Sequence, residues 1–109
     1  MTNQEAFDKV YEHLLSQYKV SIGKDGMCMY RQGGLKCAIG CLIPDELYSP
    51  DMESQAASDV ARQLPLFDGL NRGLLDDLQV IHDDASVENW KTELYLCARK
   101  YNLSVHAVK

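Results

Sequence analysis

The sequence predicts a small α+β domain, predominantly helical, with about four helices and a β-hairpin packed on one side. Three observations carry that expectation. Apolar residues recur at helical spacing near the start of the chain and again from Met52 to Tyr101. Five of the seven glycines fall between Gly23 and Gly40, where the helical pattern stops. The chain has 109 residues, 46% hydrophobic and 25% charged, which suits one globular domain spanning residues 1–109.

The first helix is expected over residues 3–19. Thr2 and Glu5 fit a capping box, in which each side chain satisfies the other residue's backbone N–H. Phe7, Val10, Tyr11, Leu14, Leu15 and Tyr18 then form one apolar stripe. A hairpin region follows at about 20–43. Asp25-Gly26 and Gly33-Gly34 are turn dipeptides, and the runs Met27–Arg31 and Leu35–Ala38 flank the second, so a ribbon closed near Gln32-Gly33-Gly34 is predicted. The run from Cys37 to Ile43 is small, apolar and uncharged, so periodicity leaves strand and short buried helix equally open. Its small residues favour close approach by another backbone, and Pro44 ends it.

Ser49-Pro50 reads as a helix opening, with Met52, Ala56, Ala57, Val60, Ala61 and Leu64 as its stripe and Pro65 as its stop. Leu66, Phe67 and Leu70 anchor the connection that follows. Asn71 can cap a third helix carrying Leu74, Leu75, Leu78, Ile81 and Ala85. Ser86 can cap a fourth, with Val87, Trp90, Leu94, Cys97, Ala98 and Tyr101 inward and Asn102 as the stop. The tail 103–109 is expected to be a short strand or frayed. Trp90, Phe7, Tyr11, Leu14, Leu78, Ile81 and Leu94 should form the centre of the core.

Charge and cysteine usage narrow the function. The net charge of −5 with scattered cations disfavours a phosphate backbone, so no nucleic acid partner is expected. No apolar run reaches a membrane span, and Met1–Glu5 shows no secretory signal. Four cysteines (Cys28, Cys37, Cys41 and Cys97) without such a signal are read as free thiols in a cytoplasmic protein. Walker, dinucleotide, zinc-protease and EF-hand motifs are absent, and no cofactor is expected.

The segment Lys36-Cys37-Ala38-Ile39-Gly40-Cys41-Leu42-Ile43-Pro44-Asp45-Glu46 resembles a motif of small proteins of tailed phages and bacterial prophages. Leu78–Asp83 and the Trp90 helix resemble the rest of that pattern, and together the matches span about two-thirds of the chain. That family has no assigned chemistry, so the resemblance implies no catalytic residues. It implies a setting, the cytoplasm of an infected or lysogenic bacterium. In that setting small accessory proteins often bind a host or defence protein.

Three constellations are candidates for chemistry. Cys37 at a helix start, with His82 as base and Asp83 or Asp84 as its orienter, would suit a small cysteine-dependent hydrolase or transferase. Equally, Cys37 and His82 lie among apolar neighbours where burial explains both. Cys28, Cys37 and Cys41 would supply three zinc thiolates, with His82 or Cys97 as the fourth ligand, although Cys37 and Cys41 form the only near pair. Finally, Asp76, Asp77, Asp83 and Asp84 place a carboxylate ridge on the outer side of one helix, with Val80 among them. A solvated face explains such a ridge, and so does a contact surface for a basic partner. The leading expectation is a non-enzymatic interaction module that binds a bacterial protein through the ridge or the hairpin turn. Self-association remains open to a domain of this kind.

Overall fold

The computed structural model describes residues 1–22, 29–55 and 57–105. Helix α1 (Asn3–Gln17) opens with the capping box: Thr2 Oγ1 accepts from the Glu5 N–H at 3.1 Å, and Glu5 Oε1 accepts from the Thr2 N–H at 2.7 Å. It ends two residues before the expected boundary. Tyr18 turns left-handed (φ 52°) while its N–H still bonds Leu14 O, which lays its ring edge-on to Trp90.

The hairpin is shorter than its composition suggested. Strands β1 (Arg31–Gln32) and β2 (Leu35–Lys36) pair antiparallel, Arg31 opposite Lys36 and Gln32 opposite Leu35. Gly33 and Gly34 both have positive φ, 54° and 86°, the two-residue turn whose twist matches that of the flanking strands. The Asp25-Gly26 turn and the first two residues of the Met27–Arg31 run, Met27 and Cys28, lie outside the described residues. So short a ribbon does not stand alone, and side chains tie it down on both sides. On one side Gln17 Oε1 accepts from the Lys36 N–H while Gln17 and His13 donate to Lys36 O. On the other, the Glu53 carboxylate accepts from the Tyr30 and Arg31 N–H groups and from the Tyr48 hydroxyl. Arg31 donates to Ile43 O, pairs with Asp45 at 2.7 Å and lies 4.5 Å over the Tyr48 ring.

The Cys37–Ile43 run is neither strand nor α-helix. A turn leads into a buried 3₁₀ helix at Gly40–Leu42, and Ile43 becomes extended before Pro44. The expected close backbone approach occurs at Gly40, where an added Cβ would lie 2.1 Å from Tyr30 O.

The single helix expected after Ser49-Pro50 is divided. Ser49 caps a 3₁₀ helix at Pro50–Ser54, Gln55 is extended, and α2 covers only Ala57–Gln63. Tertiary bonds divide it: Tyr30 Oη donates to Gln55 O, taking a carbonyl that a continuous helix would use, and Glu53 is held by the hairpin. Helix α3 (Arg72–Asp84) starts where Asn71 Oδ1 accepts from the Leu74 N–H, as expected, and Ala85 falls just outside it. The expected Ser86 cap is not made. Val87–Asn89 form a 3₁₀ turn, and α4 runs Trp90–Lys100. Asn102 stops that helix with φ 58°. Of the 103–109 tail, residues 106–109 lie outside the described residues; Leu103–Val105 are anchored, because Ser104 and Gln4 exchange two hydrogen bonds and Leu103 and Val105 pack on the core.

The core lies where α1, α3 and α4 meet, with α2 against α3. Trp90 is fully buried at its centre, its indole N–H given to Ala85 O, with Phe7, Leu14, Leu74, Leu78 and Leu94 around it. Every residue expected at the core centre is buried there. The radius of gyration, 12.9 Å, is that of one packed domain of this length.

Candidate functional site

His82 has 0% exposure, on the same apolar stripe as Leu74 and Leu78. Its ring stacks on Trp90 with centroids 5.7 Å apart. Nε2 receives the Ser21 backbone N–H at 2.9 Å, and Nδ1 lies 2.7 Å from Asp83 Oδ1. A backbone N–H only donates, so Nε2 is the acceptor and the neutral ring carries its proton on Nδ1, facing Asp83. The same carboxylate oxygen accepts from Gln79 Nε2 at 2.8 Å, while Gln79 Oε1 accepts from the Ile39 N–H at 3.1 Å.

Cys37 lies beside this network. Its Sγ accepts at 3.2 Å from the N–H of Gly40, the residue next to the Ile39 whose N–H is given to Gln79. The structure therefore brings Cys37, Asp83 and His82 into one neighbourhood that runs from the buried Cys37 and His82 out to an exposed Asp83, with Gln79 and Ser21 as the links that sequence reasoning missed. Gln79 left one trace in the sequence, its helical i, i+4 spacing to Asp83. Ser21 left none. It is fully buried, and its hydroxyl has no partner among the described residues.

Proximity does not make this arrangement a nucleophile. Cys37 is 1% exposed, and burial pushes its thiol up to about 12, outweighing the bond from Gly40 that favours the thiolate. The Nε2 lone pair that would take a proton is already committed to Ser21. The contacts instead tie three separate parts of the chain together under Trp90. For zinc, Cys41 donates to Ala38 O and burial pushes its thiol up to about 12, while Cys97 packs on the inner face of α4. Cys28 lies outside the described residues, and among those described no three His, Cys, Asp or Glu side chains gather to hold a metal ion.

The acidic ridge is resolved into two kinds of residue. Asp77 receives Lys100 Nζ at 2.8 Å and the Tyr101 hydroxyl at 2.6 Å, and these bonds hold its carboxyl below the usual carboxylate range. Asp83 is engaged by His82 and Gln79. Asp76 and Asp84 are exposed and have no hydrogen-bond or ion-pair partner among the described residues. Val80 stands 52% exposed on the same outer side of α3. On α4, Leu96 is 54% exposed, a feature the sequence hides because Leu96 immediately precedes the buried Cys97.

No helix among the described residues is long and apolar enough to cross a membrane. No protein-family model, curated protein or solved structure matches the chain.

Proposed function

We propose that this chain is a non-enzymatic protein-interaction module, a phage or prophage accessory protein that acts in the bacterial cytoplasm by binding a host or defence protein. The contact surface in this reading is the outer face of α3, with Asp76, Val80 and Asp84 at its centre and Asp77 and Asp83 at its edges. One observation supports it above the others: Val80 is more than half exposed beside two aspartates that serve no internal bond, while the thiol and imidazole that an enzyme would need are buried. An apolar side chain ringed by unpaired carboxylates suits a partner surface that is basic with an apolar centre.

The test is capture of the tagged protein from bacterial lysate at low salt, compared with an untagged control and a Val80→Lys variant. A near-stoichiometric protein that is lost with Val80→Lys supports the module and its surface. An empty capture from wild type removes the reading, and a capture indifferent to Val80→Lys moves the contact away from α3.

A further inference from the structure

We infer that the outer face of α3 and α4 recognises a second copy of this chain, so that the protein self-associates as a two-fold dimer. The inference goes beyond the interaction reading: a second copy would share the α3 face with the bacterial partner that reading assigns to it, and would compete with that partner at high concentration. Two observations carry it: the level at which the exposed apolar residues lie, and the opposite charge of the two helices.

Asp77 bonds Lys100 and Tyr101, and His82 stacks on Trp90, so α3 and α4 run antiparallel. One turn on from Asp77 comes Val80, and one turn back from Lys100 comes Leu96. The two most exposed large apolar residues of the described chain thus sit at one level, on neighbouring helices and on the side away from the core. Helix α3 carries four aspartates against Arg72, whereas α4 carries Lys91, Arg99 and Lys100 against Glu93. Asp77 and Lys100 already satisfy each other within the chain. Asp76 and Arg99, both exposed and without a partner among the described residues, are left over near that same end.

The charge pattern selects the symmetry. A two-fold axis parallel to the helices sets α3 of one copy on α4 of the other. Asp76 then comes within a helical turn of the second copy's Arg99, Val80 meets Leu96, and each contact occurs twice. An axis across the helices would instead stack α3 on α3, acid on acid. The face is about 20 Å long and about 20 Å wide, or about 400 Å² per copy. That is half a standard interface, so the dimer is weak and depends on concentration.

Sedimentation velocity of the full chain from about 1 μM to about 1 mM tests this directly, at low and high salt. The average mass should rise towards twice the monomer with concentration, and less so at high salt. Asp76→Lys and Arg99→Asp should each weaken association at least about tenfold, since each sets like charges together twice. Mixed in equal amounts, the two variants should associate again, because each then meets its complement at both contacts. Neither side chain holds the fold, and matching thermal unfolding curves check that. A monomer throughout the concentration range, or a mixture no tighter than the separate variants, overturns the inference. The two readings fail separately. A monomeric protein that still captures a Val80-dependent partner loses self-association alone, and a dimer with an empty capture loses the host partner alone.

Discussion

Replacing Gly40 with alanine would place a methyl carbon 2.1 Å from the carbonyl oxygen of Tyr30, 2.9 Å from its carbonyl carbon and 3.1 Å from its Cα. A carbon–oxygen contact needs about 3.3 Å, so the two segments must part by roughly 1.2 Å. All three opposing atoms are backbone, and no rotamer relieves the overlap. Parting them breaks the bond from the Cys37 N–H to Tyr30 O, now 3.2 Å, and pulls Tyr30 from the Glu53 carboxylate. The lost hydrogen bond costs about 1 kcal/mol and the forced repacking about 1–3 kcal/mol. The stiffer unfolded chain of the alanine variant offsets up to about 1 kcal/mol, leaving about 1–4 kcal/mol of destabilisation. With an unfolding entropy of about 2.1 cal/mol/K per residue, that is a fall in Tm of about 4–17 °C. Urea and thermal unfolding followed by circular dichroism measure it. Gly34→Ala is the control: its φ of 86° strains an alanine, but no atom lies within 4 Å of the added methyl, so about 1–2 kcal/mol is expected. A Gly40→Ala variant within about 0.5 kcal/mol of wild type would refute the close-approach argument.

Other outcomes follow from the same geometry. Cys37 should resist a disulfide reagent in the folded protein at pH 8, the half-buried Cys41 should react more slowly than a free thiol, and both should react fully in denaturant; labelling of Cys37 at free-thiol rates would contradict its burial. Because both thiols are raised in the fold from about 9 to about 12, the stability they contribute is complete below the unfolded value and is lost as pH rises towards 12. Urea midpoints should therefore fall above pH 9, less steeply in Cys37→Ala. Asp77 has the opposite sign. Its carboxyl is held below the ordinary 3.8, so its contribution is present above that value and is lost as pH falls through the folded one, and Asp77→Asn should flatten the acid limb of the stability curve. His82→Phe keeps the ring on Trp90 but orphans the buried Ser21 N–H, for about 1–3 kcal/mol in urea unfolding. His82→Ala adds a cavity and should cost more. A His82→Phe protein as stable as wild type would show that the Ser21 bond contributes nothing.

Local signals in this chain were legible because they act within a few residues. The Thr2 and Glu5 box, the Asn71 cap, the Gly33-Gly34 turn and the Pro44 stop each need only neighbours in sequence, and each stands where the residues place it. The stripes of α1, α3 and α4 were equally plain, since a helix that buries one face writes its period into the chain. By contrast, the stripe from Met52 to Leu64 looked just as continuous and is interrupted, because Tyr30 and the hairpin compete for Gln55 and Glu53 from more than twenty residues away.

The candidate sites divide in the same way. Composition and spacing alone determined a small acidic helical domain with a hairpin, and set His82 on an apolar stripe and four aspartates along one helix. Only the tertiary structure decided that Gln79 and Ser21 link the exposed Asp83 and the buried His82 to other parts of the chain, beside the buried Cys37. Only it decided that Asp77 and Asp83 are held while Asp76 and Asp84 are free. Four aspartates on one helix are chemically alike in the sequence. What distinguishes them is which side chain another segment brings within hydrogen-bonding distance: Lys100 and Tyr101 reach Asp77 from α4, and the ring of His82, fixed by Ser21 and Trp90, is held against Asp83.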